Sequence, residues 1–229
     1  MSAEAEKRAA AEAAAALIEG GMTVGLGTGS TAALFVEALA ARRLPIRGVA
    51  TSKATAAQAA GLGITLIDLD AGGLIDLTVD GADEIGPDLA LIKGAGGALL
   101  REKLVWSASR SCVVIADASK PVPALGAVPL PVEVVAFGQA ATAGRIGSAL
   151  ARLGIDAAPR LRAPGGRVFI TDSGNVIYDL ACRRIDDPAA LGAALKAITG
   201  VVDHGLFLGL AEAALVGTAT GVERIERRG

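Results

Sequence analysis

The sequence predicts an α/β fold: a Rossmann-like parallel-sheet domain with helices on both faces, followed by a second, smaller α+β domain. Three observations predict it. Short continuous apolar strands alternate with helix-forming segments through the first half, the pattern of a parallel sheet buried on both sides. Four of the nine prolines fall in the run from Pro121 to Pro131, which marks a boundary. Beyond it the order becomes strand, helix, strands, helix, strand, the order of a ferredoxin-like α+β unit.

The elements follow in turn. Residues 4–19 are strong helix formers stopped by Gly20-Gly21. M-T-V-G-L-G is a short buried strand, and A-A-L-F-V-E-A-L-A-A-R-R is a helix with Ser30 or Thr31 as its N-cap. I-R-G-V-A-T-S, I-T-L-I-D-L and L-I-D-L-T-V-D continue the sheet, the last ending at Asp80. One apolar strand is expected between Asp83 and Lys93, a helix over Ala98–Ser109, and a further strand in S-C-V-V-I-A-D. After the prolines come V-E-V-V-A-F, a helix from Gln139 to Leu153, and strands around Arg160–Arg162, Val168–Thr171 and Val176–Leu180. A D-S-G-N turn joins the last two. A helix over Pro188–Ile198 and V-V-D-H-G-L-F-L complete the module, and the tail A-A-L-V-G-T-A-T-G-V-E-R-I returns to the first sheet. The expected partition is residues 1–126 with 208–229, and 127–207, the smaller part being a candidate for subunit contact.

Composition excludes several function classes. With 52% hydrophobic residues in 229 a core can form, and with 3% aromatics that core is aliphatic. A net charge of −2 offers no excess of cations to a nucleic-acid backbone. No apolar run reaches the about eighteen residues of a membrane span, and the charged N-terminal helix is no export signal, which points to the cytoplasm. One histidine, His204, and two unspaced cysteines, Cys112 and Cys182, make a His/Cys metal site unexpected. Cys112 is expected to be a small buried hydrophobe and His204 structural or subunit-facing.

Chemistry concentrates in two places. The first is G-L-G-T-G-S-T, Gly25 to Thr31, between a strand and a helix. Glycines admit an anion to the backbone, and a helix N-terminus supplies N–H groups. The dinucleotide fingerprint would have glycine at Ser30 and an acid at the end of the next strand, where Ala50-Thr51-Ser52 stands. A monophosphate therefore fits better than a dinucleotide; the bland alternative is a glycine turn needed only for packing. The second runs from Asp80 to Lys103: D-G-A-D-E-I, then K-G-A-G-G-A-L-L-R-E-K. Asp80 and Asp83 follow a strand's carboxyl end, where ligands of parallel sheets bind; Glu84 and Asp88 read as solvated, with a Mg²⁺ site as the alternative for three neighbouring carboxylates. Lys93 with the glycine loop has the parts of an oxyanion site. Glu102, among Leu99, Leu100, Leu104 and Val105, would gain a raised pKa from partial burial, as a general base requires. Lys120 in A-D-A-S-K sits at another strand end. Lys7 carries no sharp motif.

G-L-G-T-G-S-T, T-S-K-A-T, D-G-A-D-E-I, K-G-A-G-G-A-L-L-R-E-K, A-D-A-S-K, L-P-V-E-V and T-D-S-G-N, in this order and spacing over essentially the whole chain, resemble ribose-5-phosphate isomerase of the A type. The resemblance implies interconversion of D-ribose 5-phosphate and D-ribulose 5-phosphate in the pentose phosphate pathway, without cofactor or metal, in a homodimer or homotetramer. It implies Glu102 as the proton-transferring base. It implies substrate contacts from Thr28, Gly29, Ser30 and Thr31, from Asp80, Gly81, Ala82 and Asp83, from Lys93, Gly94, Ala95 and Gly96, and from Lys120 and Lys7. Asp80 and Asp83 are expected to assist ring opening and hold hydroxyls. Ala95 stands where the family usually has glycine or arginine. Two other readings compete: a non-catalytic sugar-phosphate sensor on the same fold, disfavoured by the intact Glu102, and a dinucleotide-dependent dehydrogenase, disfavoured by Ser30. A metal-assisted hydride shift would require a ligand cluster that the sequence does not offer.

Overall fold

The computed structural model describes residues 2–227. In chain order its elements are α1 (Ala3–Ala16), β1 (Thr23–Leu26), α2 (Ser30–Ala41), β2 (Arg47–Ala50), α3 (Lys53–Gly61), β3 (Thr65–Leu66), α4 (Leu69–Gly72) and β4 (Ile75–Gly81). Next come β5 (Glu84–Ile85), β6 (Leu91–Ile92), α5 (Leu99–Ser107), β7 (Ser109–Asp117) and β8 (Leu130–Val134). The chain continues with α6 (Gln139–Arg152), β9 (Pro159–Leu161), β10 (Val176–Leu180), α7 (Pro188–Lys196), β11 (Val201–His204), β12 (Leu206–Phe207), β13 (Ala213–Thr218) and β14 (Gly221–Glu226). They form two compact units: Met1–Ala82, Arg101–Pro121 and Gly209–Gly229 in the first, Asp83–Leu100 and Val122–Leu208 in the second.

The first unit is a seven-stranded sheet in the order β14-β13-β7-β4-β1-β2-β3. Its pairings are parallel except for the β13–β14 hairpin at one edge, so the tail does return to this sheet. Val24, Leu26, Val79, Val113 and Ile115 of the strands pack with Ala10, Ala14, Phe35 and Leu39 of α1 and α2 in one aliphatic core. Each large side chain buried there contributes about 1.5–3 kcal/mol. Helix α1 lies close to β13: a Cβ at Gly217 would meet the Glu6 carbonyl oxygen at 1.9 Å.

In the second unit β8-α6-β9-β10-α7-β11 builds a four-stranded antiparallel sheet ordered β11-β8-β10-β9, the ferredoxin-like arrangement. A second sheet, β12-β6-β5, completes the unit. The core joins Leu130, Val132 and Val134 to Ile146, Leu150, Leu191 and Leu195 of the two helices. The segment Asp83–Leu100 groups with this unit, whereas the expected partition had it in the first; the β6–β12 pairing, Leu206 opposite Ile92, accounts for the difference.

Four local expectations are corrected. Helix α1 stops at Ala16, where the N–H groups of Leu17 and Ile18 turn back to the carbonyls of Ala14 and Ala15, a turn before the glycines. The N-cap of α2 is Gly29 at φ 112°, not Ser30 or Thr31, and no side chain caps it. The stretch between Asp83 and Lys93 is a hairpin, β5 and β6, around a turn at Pro87–Leu89. Val168–Thr171 is not a strand; it makes one bridge, Ile170 to Val176, after the Pro164-Gly165-Gly166 turn.

Candidate active site

In the first unit, the stretch from the end of β1 to the start of α2 holds three glycines with different tasks. Gly25 faces Thr78 on β4, and a Cβ there would lie 1.8 Å from Oγ1 of Thr78. At Gly27 a Cβ would lie 2.2 Å from Oδ1 of Asp80. Both glycines therefore serve close packing, as the blander alternative held. Gly29 is the exception: its φ of 112° needs glycine, and nothing lies near the place a Cβ would take. It opens α2 with no side chain on the first-turn N–H groups, the arrangement that receives anions. Nζ of Lys7 lies 3.1 Å from Oγ of Ser30. Lys7 is thus brought to the loop by the seating of α1, a placement no motif foretold.

Thr28 holds the loop from both ends. Its N–H donates to Oδ1 of Asp80 at 3.0 Å. Its hydroxyl lies 2.7 Å from Oγ1 of Thr51, 2.9 Å from Oγ of Ser52 and 3.1 Å from Oγ1 of Thr55. Thr51 and Thr55 in turn donate to the carbonyls of Leu26 and Gly27. The T-S-K-A-T segment is therefore the underside of the loop, a role that sequence reasoning did not assign. A run of hydroxyls where a dinucleotide site would carry an acid was the available signal.

Asp80 is fully buried near the end of β4, and its Oδ1 accepts the N–H groups of both Thr28 and Gly81. Glu102 lies in the first turn of α5 and is 4% exposed, more deeply buried than expected from its R-E-K setting. At the end of β7, burial by itself would raise the Asp117 carboxyl. Hydrogen bonds from the hydroxyl and N–H of Ser119, with the charges of Lys120 and Lys7, outweigh it and hold the group below the usual carboxylate range. Both lysines thus act on one carboxylate at this strand end.

In the second unit, the Asp83 N–H donates to the Ile92 carbonyl, and its Oδ2 accepts the Ala95 N–H at 2.9 Å. Lys93 is 2% exposed, with its ammonium 5.4 Å from the centre of the Phe207 ring. Gly94 and Gly97, at φ 105° and 80°, bend the loop, which a bond from the Gly97 N–H to the Gly94 carbonyl closes. Ala95 and Gly96 form its exposed tip. Ala95 keeps an ordinary negative φ, so alanine is unstrained at this departure from the usual family residue.

Glu84 is corrected. It is not solvated but buried, accepting the N–H groups of Gly126 and Val128, both at 2.7 Å. Its carboxylate anchors the loop before β8, so the three-carboxylate Mg²⁺ site loses a member. Among the described residues no three His, Cys, Asp or Glu side chains gather as metal ligands would. Asp88 is exposed, as expected. Cys112 and Cys182 are buried thiols, and burial pushes the Cys182 thiol up to about 11. His204 is buried, its Nδ1 accepting the Leu206 N–H. No helix among the described residues is long and apolar enough to cross a membrane.

Residues 47–221 match the family model described as ribose 5-phosphate isomerase A (phosphoriboisomerase A). The chain belongs to the ribose 5-phosphate isomerase A family. A ribose-5-phosphate isomerase A of Caulobacter vibrioides is 63% identical over 99% of this chain and 100% of its own. One of Parvibaculum lavamentivorans is 52% identical over 99% and 100%. A crystal structure of ribose 5-phosphate isomerase A from Neisseria gonorrhoeae superposes with a TM-score of 0.91 at 35% identity, covering 100% of this chain and 99% of that one. A D-ribose-5-phosphate isomerase in complex with phospho-erythronic acid superposes with a TM-score of 0.92 at 37% identity, over 99% and 100%. The family's α/β architecture is therefore present over the described residues.

Proposed function

We propose that this protein is an aldose–ketose isomerase that interconverts D-ribose 5-phosphate and D-ribulose 5-phosphate by proton transfer through a cis-enediolate. Membership of the family at high identity over the full length supports the reaction. The observation that carries the mechanism is Glu102, a carboxylate 4% exposed in the first turn of the helix that follows the glycine loop. A carboxylate so shielded from water is suited to take a proton from one carbon and to deliver a proton to the next.

Glu102 removes the proton from C2 of the open aldose, and the electron pair left behind forms the enediolate. O1 gains a proton, O2 loses one, and Glu102 delivers its proton to C1, leaving the carbonyl at C2. Lys93 and the Gly96 N–H at the exposed tip of the loop stabilise the enediolate oxygens. The Gly29–Thr31 turn, Lys7 and Lys120 hold the phosphate, a role supported by the uncapped start of α2 and the Lys7–Ser30 contact. Asp80 and Asp83 assist ring opening and hold hydroxyls. The domain roles follow: the parallel-sheet unit carries the base and the phosphate loop. We place the enzyme in the cytoplasm as a homodimer or homotetramer, with the α+β unit, where Phe137 is 93% exposed, as the candidate for subunit contact.

Glu102→Gln tests the mechanism. The variant is expected to fold and to lose at least about 10³-fold in kcat, within the range general-base removal produces. Wild-type turnover in that variant would remove Glu102 as the base. Reaction in deuterium oxide with EDTA present should label C1 of ribulose 5-phosphate. An unlabelled product, or a loss of activity with EDTA, would point to hydride transfer or to a metal.

A further inference from the structure

Nothing in the proposed mechanism uses Arg162, yet this side chain holds the glycine loop. It leaves the end of β9 and lies in the same unit as the loop. Its Nη1 donates to the Gly94 carbonyl at 3.0 Å and to the Ala95 carbonyl at 2.9 Å. The rest of the guanidinium is committed to Asp179 on β10: Nε to Oδ2 at 2.9 Å and Nη2 to Oδ1 at 2.5 Å. The pair is largely buried, with side-chain exposures of 14% and 26%, so solvent screens it little. The backbone of Arg162 is fixed as well: its N–H donates to Ile177 and its carbonyl accepts from Phe169. The Phe169 ring lies 5.9 Å from the guanidinium carbon and fills the space beside Gly97, where a Cβ would come within 2.4 Å of it.

The consequence follows from peptide geometry. In a trans peptide the C=O and the N–H point in opposite directions, and the chain contains no cis bond among the described residues. Two consecutive carbonyls, those of Gly94 and Ala95, aim at one nitrogen of Arg162. The two N–H groups of the same peptides, those of Ala95 and Gly96, must then aim away from it. The first reaches Oδ2 of Asp83 at 2.9 Å, and the second leaves the exposed tip of the loop. One guanidinium thus sets the direction of both donors and, through the Ala95 N–H, the rotamer of Asp83. Lysine has a single nitrogen and could not bridge Asp179 and two carbonyls in this fork.

We infer that Arg162, oriented by Asp179, is a positioning residue for the isomerisation, acting through the Gly96 N–H and, by way of the Ala95 N–H, through the Asp83 carboxylate rather than by touching substrate. This rests on the proposed function, in which those groups meet the sugar. If the loop donors act on the enediolate, misdirecting them weakens the transition state more than ground-state binding, because the phosphate is held by other residues.

Steady-state kinetics of wild type, Arg162→Ala, Arg162→Lys and Asp179→Asn on ribose 5-phosphate, with circular dichroism for folding, tests this. Arg162→Ala should lose about 100-fold in kcat, the scale of a 1 Å misplacement. Its KM should move by less than about threefold, the signature of an interaction made in the transition state. Arg162→Lys should recover little, and millimolar guanidinium, but not ammonium, should restore part of the kcat of Arg162→Ala. A folded Arg162→Ala with wild-type kcat, or with its loss confined to KM, overturns the inference while leaving the isomerase reading intact. If Arg162→Ala does not fold, Asp179→Asn decides by the same split: lowered kcat supports the inference and wild-type kcat overturns it. A wild-type protein inert toward ribose 5-phosphate would remove the function, and this inference with it.

Discussion

The two glycine loops, Gly25–Thr31 in the first unit and Lys93–Gly97 in the second, look alike as sequence and are held by different physics. The first is supported from beneath by neutral hydroxyls: Thr28 meets Thr51, Ser52 and Thr55, at the N-terminus of the next helix. Most of its glycines exist because β4 is too close for a side chain. The second is supported by an ion pair and an aromatic ring, Arg162 with Asp179 and Phe169, more than sixty residues further along the chain. On the proposed function the first loop receives a fixed phosphate dianion and needs only its own amides, whereas the second meets charge developing during the reaction and needs donors whose direction is enforced, since preorganised dipoles lose least when charge appears.

Substitutions can break this comparison. The largest effect is expected at Gly27→Ala, where the added methyl meets Cα of Asp80 at 2.6 Å and its carboxylate closer still. Overpacking of this kind should cost about 3 kcal/mol, read as a lowered denaturant midpoint. Gly29→Ala, two positions on, meets no neighbour and carries only the strain of its φ of 112°. Its stability loss should be about 1–2 kcal/mol, with KM for ribose 5-phosphate raised more than kcat is lowered. Equal losses at the two positions would mean that close packing is not what distinguishes them. Thr28→Val sharpens the contrast, because it leaves three hydroxyls without their shared partner. It should cost about 1–3 kcal/mol and raise KM, whereas the Arg162 variants lower kcat.

The smallest effect concerns Asp117, whose carboxyl is held below its ordinary range by Ser119, Lys120 and Lys7 against the opposing pull of burial. A carboxyl lowered in the folded state adds stability above its unfolded value and loses it as pH falls through the folded one. Asp117→Asn should therefore be less stable than wild type at neutral pH, with the gap closing in acid below the ordinary carboxylate range. Urea titrations at neutral and acid pH check the sign; a gap that persists unchanged in acid would separate Asp117 from the lysines.

The framework of the candidate site was legible where its parts are local. The end of β4 at Asp80–Gly81, the loop after β6 and the first turn of α5 follow from strand and helix patterns a few residues wide. Glu84 was misread for the opposite reason: its partners, the N–H groups of Gly126 and Val128, lie more than forty residues away. Lys7 could not be assigned from its own helix, since it is the packing of α1 against α2 and the sheet that carries it to Ser30. Ala95, where the family usually has glycine or arginine, keeps a negative φ and so carries no backbone strain of the left-handed kind, which only the structure could show.

By itself the sequence determined the alternation of elements, the positions of both loops and the resemblance that names the family. These depend on short-range periodicity and on ordered motifs. Only the tertiary structure decided which glycines are spacers, that Glu84 is an anchor, and that Arg162 and Phe169 stand behind the second loop. Those assignments depend on which distant groups meet when the strands pair, and a one-dimensional pattern carries no record of such meetings.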